Sequence, residues 1–248
     1  MTRRGVLPAL FCLVALALPP STDADELAKE PRGPLRLLDF AIEDKAVRRV
    51  VEAYTISRAL DPVRFVGRRE HEEFLLERLP LAAALGRHLH PPLEPYNVTE
   101  KGPGQDDIDD RGAIRGHLRL IAQAPRRRVY LAEGEFRSLA HLIRFKGAMV
   151  IALRYAEEAE AGEPALRNEP HLYVRIDNAL VHGLLKLLSP LIHGIIDRRV
   201  ATLAAAAEAV SARITNDPAE LYREMKGWPD VTDAQLAAFR GQFGLPDD

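Results

Sequence analysis

The chain has 248 residues, of which 47% are hydrophobic and 28% charged, with a formal net charge of −2 at pH 7. This composition is typical of a globular protein and excludes a disordered or fibrous chain. The near balance of charge argues against a general nucleic-acid surface, which is normally clearly basic, so we expect no nucleic-acid partner.

The N-terminus has the organisation of a secretory signal peptide. Two arginines precede an apolar run at 6–18, and a Thr-Asp-Ala cleavage site follows at 22–24. The run is shorter than the roughly 20 residues that span a bilayer. We therefore predict a signal peptide at 1–24 and an exported protein, periplasmic or secreted. The single cysteine, Cys12, lies in this segment, so an apolar core rather than disulfides must stabilise the mature chain.

Three further units follow the signal peptide. The polar segment 25–45 predicts a mobile leader, 46–217 the main domain and 218–248 a helical tail. Within the domain, residues 46–57 are compatible with a helix or with a helix and a strand. The apolar periodicity of 69–89 predicts a helix that Pro80 bends.

Several strand candidates follow without helices between them, which favours an α+β fold with an antiparallel sheet over a doubly wound fold. They are 96–99, 113–122, 128–132, 145–155 and 170–176. The glycine- and aspartate-rich segment 101–112 and the charged segment 157–169 are predicted to be loops.

Two charged runs within this region invite a functional interpretation. Residues 106–112 carry carboxylates two apart before a glycine, as calcium loops do, but the glutamate that such a loop needs six residues later is missing. We interpret them as a solvated acidic turn. The arginines at 126–128 follow a proline between apolar segments and are likewise predicted to form a solvated turn.

A long amphipathic helix follows the last strand. Ser189 and Pro190 predict a kink or a new helix start, and Pro218 predicts the end. Projected at about 100° per residue, the leucines and isoleucines fall on one side, and Arg199 projects among them. We interpret Arg199 as pairing with a carboxylate of the sheet or reaching the edge; alternatively, it meets the polar head of a bound amphiphile.

The sequence provides no motif for metal or cofactor chemistry. Its eight histidines lack metal-ligand spacing, and there is no nucleophile elbow or phosphate-binding glycine loop. We therefore predict no metal site, no cofactor and no catalytic set.

The segment order from about Arg69 to Ile214 resembles the START-like or polyketide-cyclase superfamily of helix-grip proteins. The residues that carry the resemblance are the helix at 70–89, the strand at 172–178 and the long helix with Leu-Leu-Ser-Pro-Leu at 187–191. The resemblance implies a curved antiparallel sheet that grips a long C-terminal helix, with a lipid, sterol or other apolar molecule between them. The superfamily also includes cyclases and other enzymes.

Our leading hypothesis is an exported protein that binds or carries an apolar small molecule or lipid, with possible peripheral membrane contact. The predicted ligand-binding residues are Leu188, Ile192, Ile195, Arg199, Leu203, Tyr130, Phe145, Tyr155 and Tyr173. One alternative is an envelope-associated structural or interaction module, suggested by the tail at 218–248, whose deletion would abolish a partner without unfolding the core. Another is a periplasmic cyclase- or hydrolase-like enzyme with a histidine and an acid at the cavity mouth. The oligomeric state is not predicted.

Overall fold

The computed structural model describes residues 43–93, 96–110, 114–138, 143–160, 163–177 and 189–246. Its helices are α1 (Lys45–Glu52), α2 (Arg69–Leu76), α3 (Leu79–Leu89), α4 (Ser189–Asn216), α5 (Pro218–Met225) and α6 (Asp233–Phe243). Its strands are β1 (Ile56–Ala59), β2 (Val63–Val66), β3 (Asn97–Gly102), β4 (Gln105–Asp109), β5 (Ile114–Ala124), β6 (Arg127–Ser138), β7 (Ile143–Glu160) and β8 (Glu163–Ile176). The predicted signal peptide and most of the predicted leader lie outside the described residues.

The strands form an 8-stranded antiparallel sheet in the order β1-β8-β7-β6-β5-β4-β3, with β2 also paired to β8. Because β1 and β2 pair with successive parts of β8, they are two pieces of one edge strand. The sheet is curved and open, and the long helix α4 comes after it. The predicted α+β fold, with a curved antiparallel sheet and a long C-terminal helix, is confirmed.

The helix predictions are correct in outline. Residues 46–57 form the helix α1 followed by the strand β1. The helix predicted at 69–89 is divided into α2 and α3, and Pro80 lies in the first turn of α3, where its missing N–H leaves no helical bond unmade. The described part of the C-terminal helix begins at Ser189, and the helix ends before Pro218, in agreement with the proline signal.

The segment 101–112, predicted as a loop, contains the strand β4, so that prediction is wrong. The polar side chains of β4 are stabilised by its neighbours, since Arg115 on β5 contacts Asp109 at 2.7 Å and Lys101 on β3 contacts Asp107 at 3.0 Å. Cross-strand pairs of opposite charge support strand pairing that the composition alone disfavours.

The segment 157–169 is also not a loop, because β7 extends to Glu160 and β8 starts at Glu163. Charged residues here are compensated across strands. Glu158 is buried and contacts Arg64 on β2 at 3.2 Å and Arg167 on β8 at 3.4 Å. The charges that indicated a solvated loop therefore satisfy one another on the sheet.

The two faces of the sheet bury different apolar clusters. The inner face packs against α3 and α4, through a cluster that includes Leu60, Ala83, Leu93, Tyr96, Val98, Ile108, Leu118, Tyr130, Met149, Ile151, Leu172 and Ala206. The outer face packs against α1, through Val47, Val50, Val51, Val129, Leu131, Val150, Ala152 and Tyr173. Alternate residues along each strand supply the two clusters, as the period of a strand requires.

The last two helices belong to the folded core. A third apolar cluster joins α2, α3 and α4 to α5 and α6, and it consists of Phe74, Leu81, Leu85, Val210, Ile214, Leu221, Tyr222, Met225 and Phe239. Asp230, in the connection between α5 and α6, contacts Arg87 at 2.5 Å and His88 at 2.7 Å, and His88 stacks on Trp228 at 4.0 Å. The described part of the C-terminal segment, 218–246, thus contains two helices that pack onto the rest of the fold.

In the part of the chain that the structure describes, none of the helices is long and apolar enough to cross a membrane.

Candidate functional site

Three glycines lie side by side at the centre of the inner face. Gly116, Gly134 and Gly147 are successive cross-strand neighbours on β5, β6 and β7. A Cβ atom at these positions would lie 2.4, 2.4 and 2.5 Å from a backbone oxygen of the adjacent strand. Only glycine allows the strands to approach each other in this way. This glycine row gives the middle of the sheet a floor without side chains.

A row of small and medium apolar residues borders the glycine row on the same face. It runs from Leu118 through Ala132 and Met149 to Val174, each paired with the next. Leu118 and Met149 are buried, whereas Ala132 and Val174 are partly exposed although their strands lie inside the sheet. These two side chains are therefore partly accessible to solvent.

Helix α4 covers part of this floor. Leu203 and Ala206 pack against the inner-face cluster, and Leu203 remains partly exposed. Ala204 and Ala207 pack on β2 and β8 near Phe65. In its described part, 201–216, the helix thus approaches the sheet with Leu203 and three alanines, whose side chains are short.

An acidic residue lies in the same row as Leu118. Asp106 on β4 pairs with Leu118 and is only 9% exposed. Burial, with help from Glu100 and Asp107, raises the pKa of Asp106 to about 6. Among the described residues, no hydrogen bond or ion pair reaches its carboxyl group. The prediction of a solvated acidic turn is therefore wrong at this position, because the strand alternation turns Asp106 towards the inner face.

Asp107, the next residue, shows the opposite environment. It lies on the outer side of β4, where His117 contacts it at 2.5 Å and Lys101 at 3.0 Å. The hydrogen bond with Lys101 is the main reason that the pKa of Asp107 lies below its usual value. Adjacent carboxyl groups thus differ because one faces cationic partners and the other faces the apolar floor.

We expect the Asp106→Asn variant to be more stable than the wild type at pH 7.5. The folded-state pKa of Asp106, about 6, lies above its reference value of 3.8. Ionisation of Asp106 therefore opposes folding, and its contribution to stability is lost as the pH rises through this interval. Urea unfolding at pH 4 and pH 7.5 measures the effect, and the gain should nearly disappear at pH 4.

Asp107→Asn is the matched control, because the partners of Asp107 favour its charged form. This variant should not be stabilised at pH 7.5. A wild-type protein that is as stable as Asp106→Asn at both pH values would show that Asp106 is well solvated.

A buried polar cluster closes the end of the inner face beneath α2. Arg128 is 0% exposed, and its guanidinium donates to Gln123 at 3.1 Å and to Glu77 at 3.5 Å. The Tyr130 hydroxyl donates to the carbonyl of Leu76 at 3.2 Å. Burial is the largest cause of the raised pKa of Tyr130, so the hydroxyl keeps its proton and this bond.

The prediction that the arginines at 126–128 form a solvated turn is wrong at Arg128, which is buried. Arg126 forms the turn, with a positive φ of 61°, and is exposed. Arg128, two residues later, points to the same face as Tyr130 and is covered by α2. Tyr155 lies nearby, with its hydroxyl 3.5 Å from a carboxyl oxygen of Glu73. These bonds between the sheet and α2 indicate a structural role for Arg128, Tyr130 and Tyr155.

The structure separates the predicted ligand-binding residues into four groups. Leu203, Tyr130 and Tyr155 contribute to the inner side of the sheet or to α4. Leu188 lies outside the described residues. Ile192, Ile195 and Arg199 in α4, and Phe145 in β7, have described backbones, but their side chains lie outside the description.

Tyr173 does not join the others, because it lies on the outer face under α1. It stacks on His171 at 4.6 Å, and His171 lies 3.1 Å from the Ser57 hydroxyl. Burial raises the pKa of Tyr173 to about 12 and lowers that of His171. The sequence interpretation had grouped Tyr173 with the inner-face aromatics because it did not establish the strand register.

Two histidine–carboxylate pairs among the described residues lie away from the inner floor. His117 pairs with Asp107 on the outer face and His88 pairs with Asp230 in the tail, so neither pair borders the inner floor. Within the described ranges, no group of three or more histidine, cysteine, aspartate or glutamate residues is placed to hold a metal ion.

A groove lies on the outer face, between α1 and the sheet. This groove has a volume of about 700 Å³, and it is lined by Ala46, Arg49, Val50, Glu133, Ala148, Arg175, Ile176 and Asp177. Its charged lining is partly self-compensated, since Arg175 contacts Asp177 at 3.1 Å. Any ligand-binding experiment must therefore distinguish this outer groove from the inner floor.

Comparisons with known proteins add little to this description. No family model matches the chain, and no curated protein matches it. Among solved structures, the chain is similar to truncated norcoclaurine synthase from Thalictrum flavum, with 14% sequence identity and a TM-score of 0.35. The match covers 65% of this chain and 95% of the other. A likeness this distant carries no argument about family or function.

Proposed function

We propose that this chain binds an apolar small molecule or a lipid between the inner face of the sheet and α4. The observation that carries the proposal is the glycine row, which leaves a floor without side chains in the middle of a buried face. The partly exposed Ala132 and Val174 beside it support access to that floor. The resemblance to helix-grip proteins agrees with this proposal.

Binding would be driven by removing apolar surface from water. The floor offers aliphatic side chains such as Leu118, Met149 and Val174, and few polar groups compete with them. At about 25 cal/mol per Å², burying roughly 300 Å² of ligand surface yields about 7 kcal/mol before the cost of association. Such a site selects for size and hydrophobicity more than for a particular functional group.

Fluorescence of the neutral probe N-phenyl-1-naphthylamine tests the proposal. We expect saturable binding with one probe per chain, and we expect Ala132→Trp to abolish it by filling the inner floor. Ala148→Trp is the matched control, because Ala148 lies on the adjacent strand but lines the outer groove. Loss of binding in Ala148→Trp alone would assign the probe to the outer groove and contradict the proposal. So would the absence of binding by the wild type.

We further propose that the protein is exported and acts as a carrier outside the cytoplasm. The basic n-region, the apolar run and the cleavage site of residues 1–24 support this proposal. Expression of the full chain in a bacterial host should yield a processed form whose N-terminus lies near Asp25, as read by N-terminal sequencing of the periplasmic fraction. Unprocessed chain that remains in the cytoplasm would contradict export.

A further inference from the structure

One acidic residue on the inner side of β4 is largely buried but has no partner among the described residues. Asp106 is 9% exposed, and the described residues provide it with neither a hydrogen-bond donor nor a cation. A buried carboxylate without a partner destabilises the fold that contains it. Two other acidic side chains of β4, Asp107 and Asp109, illustrate the usual solution, since both have cationic partners.

The surroundings of Asp106 do not supply the missing positive charge. Its cross-strand neighbours are Glu100 on β3 and Leu118 on β5. The cationic Lys101 is adjacent in sequence to Glu100, but it contacts Asp107 on the outer side. The inner edge of this hairpin therefore presents two carboxyl groups, one buried and one exposed, and both lack a described cation.

The apolar floor begins directly beside this acid. Asp106 is followed in its row by Leu118, Ala132 and Met149, and the glycine row runs alongside. A ligand whose apolar body lies on the floor could therefore place a polar end at Asp106. A carboxylate in an apolar setting recognises a protonated amine by a charge-assisted hydrogen bond, which is stronger than a neutral one.

We propose that Asp106 is a ligand-binding residue and that the ligand is an amphiphile with an apolar body and a cationic amine at one end. This inference rests on the proposed function, because it places the ligand body on the inner floor. The amine would supply the partner that Asp106 lacks. A metal ion is a poorer occupant, because the described residues do not place three metal-ligating side chains here.

The test compares two competitors that have the same chain and different ends. Octylamine, cationic at pH 7.5, and neutral octanol are each titrated against bound N-phenyl-1-naphthylamine. We expect octylamine to displace the probe from the wild type at concentrations at least tenfold lower than octanol. Asp106→Asn should lose this preference and keep the octanol affinity, while Asp107→Asn should retain the preference.

Each outcome has a separate meaning. If the probe and both competitors fail to bind, the proposed function itself fails. If both competitors bind the wild type equally, or if Asp106→Asn keeps the preference for octylamine, the floor binds apolar molecules but the role of Asp106 is refuted. A rise in melting temperature with calcium chloride that is lost in Asp106→Asn would identify a cation site instead and would also contradict the amine proposal.

Discussion

Replacement of Gly134 by alanine should destabilise the protein by about 3 kcal/mol, at the upper end of the usual cost of overpacking. The new Cβ atom would lie 2.4 Å from the carbonyl oxygen of Arg115 and 2.6 Å from the Cα atom of Gly116. Both are backbone atoms of the paired strand, so relief requires β5 and β6 to separate. Urea unfolding of the two proteins measures the difference.

Gly241→Ala provides the matched control for this prediction. Gly241 lies in α6, and a Cβ atom there would have no neighbour within 4 Å. Alanine is favoured over glycine in a helix, so this variant should gain up to about 1 kcal/mol. A Gly134→Ala protein with wild-type stability would show that the glycine row is not required for the close approach of the strands.

Replacement of Phe239 by alanine should destabilise the protein by about 3–5 kcal/mol. Phe239 in α6 is 0% exposed and lies near the rings of Phe74, Tyr222 and Phe243, with centroid distances of 6.3, 6.5 and 4.5 Å. Truncation would leave a cavity where the tail meets α2. Chemical unfolding followed by circular dichroism measures the loss.

The exposed Gln242 on the same helix supplies the comparison. Gln242→Ala should change stability by less than about 0.5 kcal/mol. The hypothesis of an interaction module predicts that the core folds without the residues after Pro218, so it expects Phe239→Ala to be tolerated as well. A Phe239→Ala protein with wild-type stability would support the interaction-module hypothesis.

The end of the long helix and the antiparallel character of the sheet can be predicted from local sequence patterns. Proline and asparagine mark the end of α4 at Asn216, and the succession of strands without helices identifies an antiparallel sheet. These signals are local, so they do not depend on knowing which strands pair. The same local signals predicted β4 to be a loop, because its ion pairs involve residues on β3 and β5.

The candidate site depends on register, which the sequence did not provide. Gly116, Gly134 and Gly147 occur one to a strand, and only the pairing of β5, β6 and β7 brings them into one row. The same is true of Asp106, which the alternation of β4 places on the inner face. Leu172 lies on the inner face, and successive residues of a strand point to opposite faces. Tyr173 therefore lies on the outer face.

Methionine-methyl NMR provides the most direct test of the inner floor. The chain has three methionines: Met1, Met149 on the floor and Met225 in the core of the tail. Titration of ¹³C-methyl-methionine protein with octanol should shift the Met149 resonance saturably and leave that of Met225 in place. An unchanged Met149 resonance, under conditions in which octanol displaces the naphthylamine probe, would show that apolar molecules bind elsewhere and would contradict the account.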